Sequence, residues 1–318
     1  MIKEYSEDKK SFSNFKLIGK RSILIFAISF FYWIAVSTCH LIVTDFLTDW
    51  VATPWGKFIP RDSSLETGLV VTILLIIYIF YMAIKGKRRI ISFIYWILLG
   101  SSVWLAYRFL IAAQIEIIHF PQYAILSFLF AYAIDPERKK VLIVSILFWV
   151  TLMGIVDEAY QYFYITRLFS HYFDFNDFIL NEIGVALGLF LFYGFREIPS
   201  RKIGINDIWK SLEFKVVVSI ILLFLSFSLL GIIHSYTHTK LETPIIYEHG
   251  FLKIYLERLP NKIGSWQERD LGGYFYTLDS LTGTSIMVLF GFLISLYQYE
   301  LKEKLTLGRK FKSNLSKS

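Results

Sequence analysis

Several ionisable and polar residues of this sequence interrupt long apolar stretches, and their spacing places them in pairs. Glu116 and His119 are three residues apart, and Glu158 and Gln161 have the same spacing. Residues three or four apart share one face of a helix. A carboxylate or an imidazole can transfer protons and can also hydrogen-bond a polar ligand. Glu158 and His119 are therefore the two candidates for a general base, although no catalytic residue is assigned.

A second group lies further along the chain, at a spacing of four residues. Asp177 and Asn181 form an i,i+4 pair, and Gly184 and Gly188 continue the same stripe along one helix face. Small residues at this spacing allow a neighbouring helix to approach closely. We therefore predict that this face packs against protein, with the two glycines at the helix contact. Arg167 precedes this group and is a candidate partner for one of the carboxylates.

Each of these features also has a purely structural interpretation. The pair at 116–119 could form only a structural hydrogen bond between helices. Asp177 or Asn176 could be the N-cap of a helix that begins nearby. For Asp157 and Asp174 we favour simple solvation at the membrane interface. The predicted ligand-binding residues are Glu116, His119, Glu158, Gln161, Arg167, Asp177 and Asn181.

The elements that must position these residues are long apolar segments. The chain has 318 residues and is 55% hydrophobic, with a mean hydropathy of +0.51. About 20 apolar residues of helix cross a bilayer core, and only helices or closed barrels can do so. Strand-like alternation is missing, so we predict an all-α, polytopic helical bundle with about eight spans. The spans are predicted at residues 22–43, 67–84, 90–111, 115–134, 141–164, 178–195, 216–234 and 284–300.

The positive charges indicate how this bundle is oriented. Twenty-four of the 33 lysines and arginines lie in every second connection or in the terminal tails, at 1–21, 85–89, 138–140, 196–215 and 302–317. Cytoplasmic loops of membrane proteins carry such an excess. We therefore predict that both termini are cytoplasmic.

Helix geometry places the polar residues at one depth. At 1.5 Å per residue, Arg108, Glu116, Glu158 and Asp177 each lie about 26–27 Å from the cytoplasmic end of their span, and His119 about 22 Å. Three consecutive spans, and a fourth through Arg108, thus carry polar groups in one layer. Ionisable groups within spans are costly and are functional candidates by default. We expect this layer at the outer leaflet.

The longest connection on the extracytoplasmic side is residues 235–283. The apolar residues of 245–256 approximate a helical stripe, which could lie on the membrane surface. A small extracytoplasmic cap that packs on the helix ends is the alternative. The segment at 44–66 contains two tryptophans and two prolines and suits a re-entrant or interfacial loop. The chain is thus divided into four parts, namely 1–89, 90–235, 236–283 and 284–318.

Several function classes are excluded. The net charge of +7 does not indicate nucleic-acid binding, because the basic residues separate apolar stretches and do not form one face. The single cysteine, Cys39, is interpreted as a small buried apolar residue. Phosphate-loop, zinc-helix and nucleophile-elbow motifs are missing. The Glu-x-x-His motif at 116–119 occurs in carboxylate-bridged metal bundles, but those need two copies. We predict neither a metal nor a cofactor, and the oligomeric state stays open.

Two segments carry a resemblance to a known family. They are EIIHFPQYAILSFLF at 116–130 and DEAYQYFYITRLFSHYFDFNDFILNEIGVALGLFLFYG at 157–194. The region from about 90 to 235 resembles VanZ-like membrane proteins, in which Glu-x-x-Gln ends one span, an arginine follows, and Asp-x-x-x-Asn-x-x-Gly-x-x-x-Gly opens the next. The matching residues are Glu158, Gln161, Arg167, Asp177, Asn181, Gly184 and Gly188. The linker between Gln161 and Asp177 is longer than usual.

The resemblance implies a five-span core, predicted spans three to seven, in a bacterial cytoplasmic (inner) membrane protein of the cell envelope. The founding member of the family is associated with low-level teicoplanin resistance, and no substrate or reaction follows from that association. We expect a pocket in the outer-leaflet polar layer that binds a polar or amphiphilic envelope ligand among the membrane lipids. One alternative is an enzyme that acts on a lipid-linked phosphate, with Arg167 holding the phosphate. The other is a scaffold that binds a protein partner through the 235–283 cap.

Overall fold

A computed structural model describes residues 20–39, 42, 73, 76–81, 84, 89–138, 142–165, 171–194, 210–269 and 273–315. Three predicted features lie outside these residues. They are most of the second span at 67–84, the loop at 44–66 and Arg167.

Helices form most of the described chain. The seven α-helices are α1 (Lys20–Thr38), α2 (Arg89–Phe109), α3 (His119–Ile134), α4 (Ile143–Tyr160), α5 (Phe175–Tyr193), α6 (Leu212–Leu229) and α7 (Ser280–Leu315). A short 3₁₀ helix, Gln114–Ile118, leads into α3, and a π-helical turn, Gln161–Ile165, extends α4.

Among the described residues, six helical segments are long and apolar enough to cross a membrane. They are Arg21–Thr38, Ile115–Ile134, Ile143–Ile165, Phe175–Tyr193, Leu212–Leu229 and Ser280–Tyr297. α2 has 21 residues and occupies the predicted third span, but it is not among the six. The structure therefore supports a helical membrane protein.

The centre of the bundle is α5, which is buried along nearly its whole length. It packs against α2, α3, α4 and α7. Gly184 lies so close to α3 that a Cβ atom would be 2.8 Å from the carbonyl oxygen of Phe120 and 2.9 Å from that of His119. One turn on, a Cβ atom at Gly188 would collide with the carbonyl of Ala124. The two glycines thus set the short distance between the axes of α3 and α5.

The surface of the bundle is apolar. No residue of α6 is buried, although this helix is the most hydrophobic of the six segments. α1 likewise exposes large side chains such as Leu24 and Phe31. A helix that is apolar on its exposed side is expected where lipid is the solvent.

The connection between α6 and α7 forms two small β-sheets, which together we call the cap (233–277). β1 (Ile233–His234) pairs in parallel with β3 (Phe251–Tyr255), and β2 (Ile245–Glu248) pairs with β3 in antiparallel register. β4 (Ser265–Glu268) and β5 (Tyr274–Thr277) form a separate antiparallel hairpin. The all-α prediction is therefore wrong for the cap, whereas the other described elements are helices.

The predicted surface helix at 245–256 is also wrong, because this segment is the hairpin of β2 and β3. His249 and Gly250 both have positive φ, at 51° and 82°. A two-residue loop with positive φ at both positions is a type I′ turn, whose twist matches that of paired strands. The turn therefore reverses the chain where a helix would have had to continue.

The cap is fastened to the end of the bundle where α4 finishes and α5 starts. Asn176, which is buried in the first turn of α5, donates from Nδ2 to the carbonyl oxygens of Leu110 and Tyr276, each at 2.8 Å. Its Oδ1 accepts from the backbone N–H of Leu278 at 3.0 Å. Tyr162 of the π-helical turn donates to the carbonyl of Tyr255 at 2.9 Å. These bonds tie the cap to the ends of α2, α4 and α5.

Candidate functional site

Four polar side chains from three helices meet at the capped end of the bundle. His119 begins α3, Glu158 lies in the last turn of α4, and Asp177 and Asn181 lie in the first two turns of α5. One ligand atom each from His119, Glu158 and Asp177 lies within 4.8 Å of the other two. We call these four residues the polar site.

Gly184 allows this convergence. Its missing side chain lets the backbone of His119 lie directly against α5. The imidazole is thereby placed beside Asn181, which is almost one helical turn before Gly184 on the same face. The glycine stripe and the polar pair are thus parts of one contact between α3 and α5.

Asn181 connects two members of the polar site. Its Oδ1 lies 2.8 Å from Nδ1 of His119, and its Nδ2 donates to Oε1 of Glu158 at 3.0 Å. An ionised carboxylate can only accept, so with Glu158 ionised the amide nitrogen faces Glu158 and the amide oxygen faces His119. Nδ1 of His119 therefore carries the proton, and in the neutral ring the lone pair is on Nε2.

Asp177 faces the other side of the imidazole. Its Oδ1 lies 3.7 Å from Nε2 of His119 and is buried, with no hydrogen-bond partner among the described residues. The Asp177 side chain is 14% exposed, whereas the side chains of His119 and Glu158 are 3% and 5% exposed. Asn181 is also buried. The polar site is therefore closed on the helix side, and Asp177 is its most accessible member.

Further carboxylates surround the polar site. Asp157 is 1% exposed and accepts a hydrogen bond from the hydroxyl of Tyr123 at 2.7 Å. Our prediction that Asp157 is solvated is therefore wrong, because the last turn of α4 packs against α3 and not against water. Burial, and then the charge of Asp177, raise the pKa of Asp174 well above its usual range. Asp174 is partly exposed, so its solvation stays a prediction.

Two predicted roles near these helix starts need correction. The N-cap of α5 is Asp174, whose side chain accepts from the backbone N–H of Asn176 at 2.8 Å, and not Asn176 or Asp177. Glu116 belongs to the 3₁₀ helix that precedes α3, and its carboxylate turns back toward its own N-terminal amides. Its carboxylate accepts from the backbone N–H groups of Ala112 and Ala113, at 2.7 and 3.2 Å. Glu116 thus caps its own turn.

The remaining predicted residues lie in different places. Gln161 is buried at the start of the π-helical turn, one turn beyond Glu158. Arg167 lies outside the described residues, so its predicted pairing with a carboxylate stays a prediction. The structure thus brings together His119, Glu158, Asp177 and Asn181.

Sequence reasoning missed two buried polar residues, Asn176 as the fastening point of the cap and Glu182. Glu182 lies in the middle of α5, and its Oε2 has no hydrogen-bond partner among the described residues. Its Oε1 would lie 3.0 Å from a Cβ atom at Gly291 of α7. The signal for Glu182 was present, as a single carboxylate within an apolar run. For Asn176 there was no such signal, because its partners in the cap and just after it are about 100 residues away in the chain.

Glu182→Gln is expected to raise the thermal midpoint of the detergent-solubilised protein. Oε2 of this buried carboxylate has no partner among the described residues that would replace its lost hydration. The neutral amide reduces this penalty by about 1 kcal/mol. Thermal unfolding followed by size-exclusion chromatography measures the change. A lower midpoint would show that the carboxylate itself makes a stabilising interaction.

The polar site combines an imidazole with two carboxylates and one amide. Such a set can bind a cation or a ligand rich in hydrogen-bond donors, and it can exchange protons. By itself it repels phosphate, because its carboxylates are negative when ionised.

Comparison of the chain with protein-family models, curated proteins and solved structures gave no significant match. The resemblance to VanZ-like proteins therefore rests on the motif residues of the sequence.

Proposed function

We propose that this chain is a VanZ-like protein of the bacterial inner membrane, with about eight spans and both termini in the cytoplasm. In this proposal it binds the polar group of an envelope amphiphile at the polar site. The single observation that carries the proposal is the meeting of His119, Glu158 and Asp177 from three helices within 4.8 Å. Buried ionisable groups that converge within a membrane bundle are expensive and mark ligand or ion sites.

The position of the polar site supports a ligand from the membrane surface. The cap contacts the start of α5 and the π-helical turn after α4. A polar group entering between the cap and the helix ends would reach Asp177 first, since it is the most exposed member. The apolar part of the same ligand would stay among lipids and the exposed aromatic side chains of that end, such as Phe109 and Trp266.

The alternative of an enzyme acting on a lipid-linked phosphate has less support. The described residues of the polar site supply carboxylates and one imidazole, which do not by themselves attract phosphate. The candidate cation for holding the phosphate is Arg167, which lies outside the described residues. Binding of an amphiphile is therefore the function that the geometry supports best, and the VanZ-like resemblance directs the first assay to glycopeptide susceptibility.

Three single substitutions test the proposal, namely Glu158→Gln, Gln161→Leu and Asn181→Leu. Each is expected to reduce teicoplanin tolerance to the level of a strain that lacks the gene, because each removes a polar contact of the site or of the turn beside it. The assay is glycopeptide and envelope-stress susceptibility at matched membrane expression. Glu137→Gln, an exposed residue after α3, is the matched control and should behave like the unmodified protein.

If all three variants retain full tolerance, the polar site is not the functional site. The scaffold alternative would then lead, because the cap exposes large aromatic side chains, among them Tyr247 and Phe251.

A further inference from the structure

The polar site has the composition of a metal centre as well as that of a ligand pocket. It offers one nitrogen from His119 and carboxylate oxygens from Glu158 and Asp177, each from a different helix. Imidazole and carboxylate ligands together suit first-row divalent ions such as Zn²⁺, whereas Mg²⁺ and Ca²⁺ prefer oxygen alone. Three protein ligands with one open position are the usual arrangement of a zinc site that handles a further ligand.

The distances are close to those of a bound ion. Zinc bonds to nitrogen and oxygen are about 2.0–2.2 Å, so that ligand atoms around one ion lie about 3.4 Å apart. In the structure Oδ1 of Asp177 is 3.7 Å from Nε2 of His119, and Oε1 of Glu158 is 3.8 Å from the other ring nitrogen, Nδ1. One ligand atom from each of the three residues lies within 4.8 Å of the other two, so Glu158 has to move toward Nε2 to share the ion. A side-chain shift of about 1 Å would bring the ligand atoms to the separation found around one ion.

The contacts of Asn181 prepare the imidazole for this role. A metal-binding histidine usually donates its other ring N–H to an acceptor, which fixes the tautomer and the ring orientation. Here Nδ1 of His119 meets Oδ1 of Asn181 at 2.8 Å, so Nε2 with its lone pair is directed at Asp177. The same amide holds Glu158 at 3.0 Å. Asn181 thus orients two of the three ligands.

A second and independent observation concerns unsatisfied oxygen atoms. Oδ1 of Asp177 is buried beside the imidazole without a hydrogen-bond partner among the described residues. Oδ1 of Asp157, on a side chain that is 1% exposed, has none either among those residues. Buried carboxylate oxygens without donors are strongly unfavourable unless a cation or proton balances them.

We propose that His119, Glu158 and Asp177 bind one divalent transition-metal ion, with Asn181 as a positioning residue. This inference deepens the proposed function and rests on it, because the ion would give the polar site affinity for an anionic group such as the phosphate or carboxylate of an amphiphile. The ion would supply the positive charge that the described side chains of the polar site lack.

The test uses the full chain, purified in detergent and treated with a chelator. Zn²⁺ is the probe, and its binding is measured by calorimetry and by metal analysis after gel filtration. One zinc per chain is expected. Asn181→Leu removes an outer-shell partner and should weaken zinc binding by about 10–100-fold. His119→Gln and Asp177→Asn each remove a ligand and should weaken it further.

Two controls keep the result interpretable. His234→Gln changes a histidine of the cap and should leave zinc binding unchanged, which excludes binding by that histidine. Asp177 lies at the partly exposed edge of the site, so the Asp177→Asn variant should fold. The visible absorption of the Co²⁺-loaded, unmodified chain reports nitrogen and oxygen ligation independently of any variant. Binding at the level of a metal-free blank, or binding that persists in both ligand variants, overturns the proposal.

The outcomes for metal and for function can be separated. Loss of teicoplanin tolerance in the Glu158→Gln variant without any zinc binding by the unmodified chain would sink the metal proposal and leave the proposed function standing. If the unmodified chain binds one zinc ion and all site variants keep full teicoplanin tolerance, the metal proposal stands and the proposed function is overturned.

Discussion

Replacing Gly188 with alanine is expected to lower the free energy of unfolding by about 3 kcal/mol, which is the upper range for overpacking a well-packed interior. A Cβ atom at this position would be 2.8 Å from the carbonyl carbon of Ala124 and would approach its oxygen and Oγ of Ser127 still more closely. The Ser127 side chain cannot easily move away, because it donates to the carbonyl of Val185 at 2.9 Å. The α3 backbone can move only together with its helix. The helices must therefore separate.

The measurement is the thermal midpoint of the full chain in detergent, together with the fraction that elutes as a single species. Gly100→Ala is the matched control, because Gly100 is also within a helix and a Cβ atom there would meet nothing within 4 Å. That variant should be neutral or slightly stabilising, since alanine favours helix over glycine by about 1 kcal/mol. Equal midpoints for the two variants would contradict the close helix contact.

The second large effect is expected at Asn176. Asn176→Ala removes three hydrogen bonds to backbone groups at the junction of the cap and the bundle. At about 1 kcal/mol each, the loss is about 3 kcal/mol. It should also loosen the cap, so that limited proteolysis cuts within 233–277 faster than in the unmodified chain.

Thr243→Ala is the control for this prediction. Thr243 is partly exposed and donates one solvent-exposed hydrogen bond to the carbonyl of Ile245, which water can replace. Its effect should stay within about 0.5 kcal/mol. If Asn176→Ala leaves both the midpoint and the proteolysis rate unchanged, the cap is held by other contacts.

The axial positions of the site residues could be predicted from the sequence. A helix rises by a constant 1.5 Å per residue, so counting along each span placed His119, Glu158 and Asp177 at similar depths. The structure has them within 4.8 Å of one another. Counting along one helix cannot give the rotation of its neighbours. For that reason the bridging role of Asn181 and the burial of Asp157 were not predicted.

Local geometry explains the errors. The apolar spacing at 245–256 fits a helix as well as a strand pair, and the deciding feature was the turn at His249 and Gly250. Glu116 was assigned to the polar layer because a continuous helix was assumed from 115 onward. The structure has a 3₁₀ helix at Gln114–Ile118, and the Glu116 carboxylate accepts from its own N-terminal amides.

The bonds of Asn176 also bear on the order in which the protein can be assembled. Their partners at Tyr276 and Leu278 lie 100 and 102 residues further along the chain. Contacts of such long sequence separation form late, because the intervening chain must first be closed into a loop. During synthesis the start of α5, which carries Asp177, stays without these partners until the cap and the beginning of α7 have been made. A segment translated about 100 residues later thus fixes the start of the helix that carries Asp177 and Asn181.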